Sequence, residues 1–244
     1  MFISAFQNVQ SSAYGILGQS SVSVAGQPGP GFTFDYGTGF AIAPGIILTA
    51  AHVIHSQGMF ANKIHSNLLV MHATDIAAGR PPLNATLLAE SNDNDIALLK
   101  ISGSNNNDYV RFHRQIPPIG SSVGAIGFPD THMIQSVKNG VTNFQFTFQL
   151  TFVGSFVSRM INFGYQGRNI SGFATDGNVY EGASGGPVFL RDGAVCGMQV
   201  GYAMNAKRER QSYTHCIPSE QLIAFANKHG VKITEASGNT VGRI

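Results

Sequence analysis

The run Phe144-Gln145-Phe146-Thr147-Phe148-Gln149-Leu150-Thr151-Phe152 alternates apolar and polar residues without a break. Its apolar residues hold the even positions and its polar residues the odd ones, a period of two that only a strand with one buried face satisfies. The spacing predicts a strand from Asn143 to Phe152. Shorter strands are expected at Gly39–Ala43, Ile46–Ala50, Leu68–His72, Ala85–Ala89 and Ile96–Ile101 in the first half. In the second half they fall at Val123–Gly127, Gly154–Ile161, Ser171–Thr175, Gly186–Leu190, Val195–Gly201 and Ser212–Ile217. One helix stands out, beginning at Ser219 and running over 219–229. Ser219 suits its cap, Glu220 its positive end, Lys228 its negative end and Gly230 its stop. Leu222, Ile223, Phe225 and Ala226 give it an apolar stripe to dock on the strands. Residues 1–12 read as an unpatterned lead-in, Gly26–Gly31 as a turn-rich loop, and Thr234–Ile244 as a loose tail. The polar stretch Ser102–Asp108 marks a linker between halves.

At 244 residues with 43% hydrophobic content, the chain can bury a sizeable core as one all-β domain or two small ones. Fifteen basic residues against thirteen acidic ones leave a net charge of +2, which gives no electrostatic case for nucleic acid or an anionic membrane. The densest basic cluster, Lys207-Arg208-Glu209-Arg210, reads as a solvated hairpin tip. No segment approaches the ~18 consecutive apolar residues of a membrane helix. The first residues lack the basic and apolar regions of a secretory leader, which favours a cytoplasmic chain over a mature secreted one. Cys196 and Cys216 read as two buried free thiols on neighbouring strands, although a bridge between them is geometrically conceivable.

Three segments carry chemistry, and they occur in the order histidine, aspartate, serine. Thr49-Ala50-Ala51-His52 follows an apolar run. Asp95 opens the apolar Ile96-Ala97-Leu98-Leu99. Gly182-Ala183-Ser184-Gly185-Gly186-Pro187 sets a serine between glycines, where the backbone turns sharply and its amides can point at whatever the hydroxyl attacks. A serine hydroxyl is a weak nucleophile until a base takes its proton. Imidazole changes protonation near neutral pH, so His52 is the candidate base and Asp95 the carboxylate that orients it. His55 and Asp93 are the local rivals. As a bland alternative, the hexapeptide is an ordinary turn, and His52 a satisfied histidine at a strand end.

These segments, with Gly37-Thr38-Gly39-Phe40, Gly124-Ala125-Ile126-Gly127-Phe128-Pro129 and Cys216-Ile217-Pro218-Ser219, resemble the trypsin-like, chymotrypsin-fold serine endopeptidases. The closer likeness is to the bacterial Deg/HtrA-type protease domain without a PDZ domain, and it runs from about Gly37 to about His229. The resemblance implies an all-β fold: two six-stranded antiparallel barrels with the site in the crevice between them, and a C-terminal helix. Residues 1–110 would form the first barrel with His52 and Asp95, and residues 111–244 the second with Ser184. The Gly182 and Ser184 amides would form the oxyanion hole. Ala183 stands where zymogen-type members keep an aspartate to pair with a freed amino terminus, so that route of activation lacks its receptor here.

By the same resemblance Asn178, Val200, Gly201, Tyr202 and His215 would line the specificity pocket. Asn178 is not the aspartate that holds Lys or Arg, so a small or medium apolar residue is expected before the cut. His215 facing the pocket would instead favour an acidic residue or glutamine. The implied partner is a protein or peptide substrate, and no metal or other cofactor is needed. A latent or catalytically weak module used for peptide binding remains open, with segment 163–180 free to collapse the oxyanion hole, as does an esterase with the same triad.

Overall fold

The computed structural model describes residues 2–23, 30–56, 63–103, 107–129, 131–138, 141–165, 168–177, 181–204 and 212–236. Six strands close the first barrel: β1 (Ala13–Ser23), β2 (Pro30–Ala43), β3 (Ile46–Thr49), β4 (Asn67–His72), β5 (Leu83–Ser91) and β6 (Ile96–Ile101). They pair in the order β1-β2-β3-β6-β5-β4. A short helix, α1 (Ile3–Gln10), precedes this barrel, and a one-turn helix, α2 (Ala73–Ala77), links β4 to β5. The second barrel uses β7 (Ser122–Gly127), β10 (Thr151–Tyr165), β11 (Arg168–Thr175), β12 (Pro187–Phe189), β13 (Val195–Met204) and β14 (Ser212–Pro218). Its order is β10-β11-β14-β13-β12-β7. Between β7 and β10 stands a separate two-stranded hairpin, β8 (His132–Lys138) with β9 (Val141–Thr147). The terminal helix is α3 (Ser219–Lys228). The expected architecture is therefore present: two closed six-stranded antiparallel barrels and a C-terminal helix.

Each barrel is filled from the strand faces. In β6, Ile96 to Leu99 and Ile101 are buried while Lys100 is exposed. Phe40, Ile47, Leu48 and Val70 join them in one core that extends through Phe112 and Ile126 to Ile217. Burial of aliphatic and aromatic side chains at about 1.5–3 kcal/mol each holds both barrels together. Leu222, Ile223, Phe225 and Ala226 of α3 lie in that core, as the stripe requires.

Several expectations need correction. The Phe144–Phe152 run is two strands rather than one. β9 ends at Thr147, Phe148 turns inward against Phe128 at 5.9 Å between ring centroids, and β10 begins at Thr151. The alternation survives the break because Phe148 and Leu150 fill the core at the bend. Residues 3–10 are helical. Ala5 and Val9, one turn apart, are buried, and the preceding Phe2 stacks on Phe152 and Phe189. Tertiary packing of this kind stabilises a helix too short to form alone.

Ser219 does not cap α3. Pro218 holds that position, and the Ser219 hydroxyl donates to the His113 carbonyl. The tail is stitched down as far as Ala236, because Phe112 N–H donates to Thr234 O at 2.9 Å and Ala236 N–H donates to Phe112 O at 2.8 Å. Arg114 and Glu235 pair beside this junction at 2.7 Å. Residues 163–165 and 168–175 belong to β10 and β11 rather than to a loop. Cys196 and Cys216 are both buried and free, on adjacent strands, and burial raises both thiols well above their ordinary range. Lys207–Arg210 lies outside the described residues. No helix among the described residues is long and apolar enough to cross a membrane.

Candidate active site

His52 sits in a 3-10 turn, Ala51–Ile54, that leaves the end of β3. Asp95 closes the turn between β5 and β6 with φ of 54°, a left-handed conformation that residues other than glycine rarely adopt. That turn aims its fully buried carboxylate at the histidine. One oxygen accepts the His52 backbone N–H at 2.9 Å, and the other lies 2.7 Å from Nδ1. A carboxylate only accepts, so Nδ1 carries a proton, and in the neutral ring the lone pair is then on Nε2. The rivals lie elsewhere: His55 Nε2 pairs with Glu90 at 2.8 Å, and Asp93 is exposed.

Ser184 belongs to a turn made of glycines, and the first barrel clamps it. Gly182 and Gly185 have φ of +90° and +86°. At Gly185 there is also no room for a side chain. A Cβ there would stand 2.1 Å from Thr38 O and 2.4 Å from Thr49 Oγ1. Thr38 is the hub. Its hydroxyl donates to Gly182 O at 2.7 Å and accepts from Phe128 N–H at 3.0 Å. Its N–H donates to Ser184 O at 2.8 Å, and its carbonyl accepts from the Thr49 hydroxyl at 2.7 Å.

From the other side the buried Gln199 accepts the Gly185 N–H at 2.7 Å through its carbonyl, while its side-chain amide donates to Ile126 O at 2.8 Å. Sequence reasoning singled out the Gly-Thr-Gly segment without seeing that its threonine ties the barrels together. A small hydroxyl residue between two strand glycines was the available signal. Thr38 stands on β2, and Gly37 next to it touches both sides of the site. A Cβ on Gly37 would meet Val53 at 2.5 Å and Ser184 O at 3.2 Å, so the turn of His52 and the turn of Ser184 close on one another. The Ser184 hydroxyl and the Gly182 and Ser184 amides make no hydrogen bond among the described residues. Contacts of that kind commonly tighten only when substrate arrives.

Of the residues expected at the pocket, Val200 is buried on β13, and Gly201 pairs with His215 of β14. Among the described residues a Cβ on Gly201 would meet nothing within 4 Å. His215 is half-buried. Burial, with Arg159 adding to it, lowers its pKa below the ordinary imidazole value and keeps it neutral at pH 7. Tyr202 lies on β13, and Asn178 lies outside the described residues.

A family model for a trypsin-like peptidase domain matches residues 37–198, which contain His52, Asp95, Ser184 and the Thr38 hub. The chain belongs to this family. No curated protein matches the sequence. Among solved structures, this trypsin-like peptidase is similar to the Rv3671c protease of M. tuberculosis. Its active form aligns with a TM-score of 0.67 at 19% identity, over 98% of this chain and 89% of that one. Its inactive form aligns with a TM-score of 0.63 at 19% identity, over 93% of each. The two barrels thus form a chymotrypsin-like fold.

Proposed function

We propose that this trypsin-like peptidase is a serine endopeptidase working through an acyl-enzyme. The observation that carries the reading is the two-point grip of Asp95 on His52. The backbone bond fixes where the imidazole sits, and the ring bond fixes which nitrogen holds the proton. With Nε2 unprotonated, His52 takes the Ser184 proton as Oγ attacks the peptide carbonyl. The tetrahedral oxyanion is held by the Gly182 and Ser184 amides, a contribution of about 3–4 kcal/mol per donor in such sites. His52 then gives its proton to the leaving amine. Water, activated by the same base, releases the acid and restores Ser184.

In this reading the residue before the cut enters beside Asn178, Val200, Gly201, Tyr202 and His215. A neutral His215 and the absence of an aspartate at Asn178 favour an uncharged, small or medium side chain there. A protein or peptide substrate is the partner, and the mechanism requires no metal. The test is labelling with a fluorophosphonate probe, read by intact mass. Stoichiometric addition that disappears in Ser184→Ala is the expected result. Absence of labelling on folded protein would sink the reading and favour a module that binds peptides without cutting them.

A further inference from the structure

Three buried histidines face a carboxylate, and the proposed mechanism uses one of them. Beside the His52–Asp95 pair, His55 Nε2 lies 2.8 Å from Glu90 and His65 Nε2 lies 3.1 Å from Asp35. The two unused pairs are not scattered. The first barrel sets β2, β3, β6 and β5 side by side. His52 leaves the end of β3 and Asp95 comes just before β6, so the inner two strands present the site. Asp35 stands on β2 and Glu90 on β5, the strands immediately outside them.

Both outer pairs hold the same piece of chain. Beyond the turn that carries His52, the legs 54–56 and 63–65 lie antiparallel. His65 N–H donates to Ile54 O at 3.0 Å, Ser56 N–H donates to Lys63 O at 3.0 Å, and His55 bridges Ile64. His55 fastens the outgoing leg to β5, and His65 fastens the returning leg to β2 and β1. The His65 ring fills the space that Gly18 leaves on β1, where a Cβ would stand 2.0 Å from its Cδ2. Its Nδ1 lies 2.9 Å from the Ser20 hydroxyl. Its Nε2 is near enough to Asp35 for charge attraction, although outside hydrogen-bond alignment.

A 3-10 turn has poorer hydrogen-bond geometry than an α-helix, and this one is four residues long. Asp95 grips its near end through the His52 N–H, and His65 grips its far end through Ile54 O. Resting on the serine-peptidase reading, we propose that His55–Glu90 and His65–Asp35 are positioning pairs for His52. They fix the far end of its turn as Asp95 fixes the near one. Neither pair touches the reacting atoms, and each acts through the main chain of 54–55. Without them the turn tilts, and His52 Nε2 no longer meets the Ser184 hydroxyl squarely. A displacement of about 1 Å at a reacting group costs about 10²-fold in rate.

Asp35→Leu and Glu90→Met test this, because they keep side-chain bulk and remove both acceptors. In the double variant, fluorophosphonate labelling of Ser184 should slow about 10–100-fold. Peptide turnover, counted per serine that labels at completion, should fall by the same factor with KM within about twofold. The His52 Nδ1 proton, which resonates far downfield while Asp95 holds it, should broaden in the proton NMR spectrum. A merely structural role would lower the urea midpoint and leave labelling rate, turnover per labelled serine and that resonance unchanged, and this outcome overturns the proposal. Should the double variant not fold, the single variants decide: a fall of about threefold in either supports the proposal, and unchanged rates in both overturn it. Failure of the unaltered protein to label at Ser184 overturns the serine-peptidase reading and the proposal with it, whereas equal labelling rates in variant and unaltered protein overturn the proposal alone.

Discussion

Around Ser184 no volume is spare, whereas the β8–β9 hairpin leaves Met133 46% and Ile134 58% exposed. A Cβ on Gly182, Gly185 or Gly186 would meet a backbone oxygen at 2.4, 2.1 or 2.2 Å. The turn is therefore positioned by main chain from both barrels, which cannot adapt. Among the described residues the hairpin pairs only with itself, from His132↔Thr147 to Lys138↔Val141, and rests on ring contacts to Phe34 and Phe32. Rings slide over one another at little cost, while hydrogen-bonded main chain does not. The turn that carries Ser184 is held by backbone from both barrels, and the hairpin is held by aromatic surface.

If positioning is what the rigid region provides, the largest effect should come from removing it without changing shape. Asp95→Asn keeps the volume of the buried side chain but offers an N–H where His52 needs an acceptor, favouring the wrong tautomer. Turnover of a peptide substrate should drop about 10³–10⁴-fold, with the circular dichroism spectrum unchanged. Turnover by the Asp95→Asn enzyme within tenfold of the unaltered protein would break the comparison, since geometry held by this carboxylate would then not be what matters.

Next in size is Gly185→Ala. One methyl group must enter a gap of 2.1 Å to Thr38 O while the residue stays at φ of +86°. Left-handed strain and overpacking each add about 1–3 kcal/mol, so unfolding should cost about 2–4 kcal/mol less in a urea titration. A loss below about 1 kcal/mol would mean that the turn can shift, and that the clamp between barrels is softer than its distances imply.

Sequence was legible wherever local pattern and final packing agree. Ile96–Ile101 buries an apolar run on both faces except at Lys100, and α3 buries its stripe, so both could be read directly. His52 and Asp95 were legible because each opens or ends an apolar strand, and their rivals did not. β1 was not. Its Ala13–Ser23 segment holds Gly15 and Gly18, and the side chains that fill those places come from elsewhere: Phe148 would stand 2.6 Å and His65 2.0 Å from Cβ atoms there. A strand that lends space to distant rings carries little hydrophobic period of its own. Thr38 escaped for a related reason, because its four hydrogen bonds reach Gly182, Ser184, Phe128 and Thr49, and only the folded chain brings these together.

The smallest expected effect completes the comparison from the hairpin side. Ile134 is 58% exposed and stands opposite Gln145, so little apolar surface leaves water when it folds. Ile134→Ser should change the stability read from a urea titration by no more than about 0.5 kcal/mol, as surface substitutions usually do. The contrast with Gly185 is informative because Ile134→Ser removes three carbon atoms and Gly185→Ala adds one. If stability tracked the amount of apolar matter alone, the order of the two effects would reverse. A large loss in Ile134→Ser would show that the hairpin is packed against something in solution.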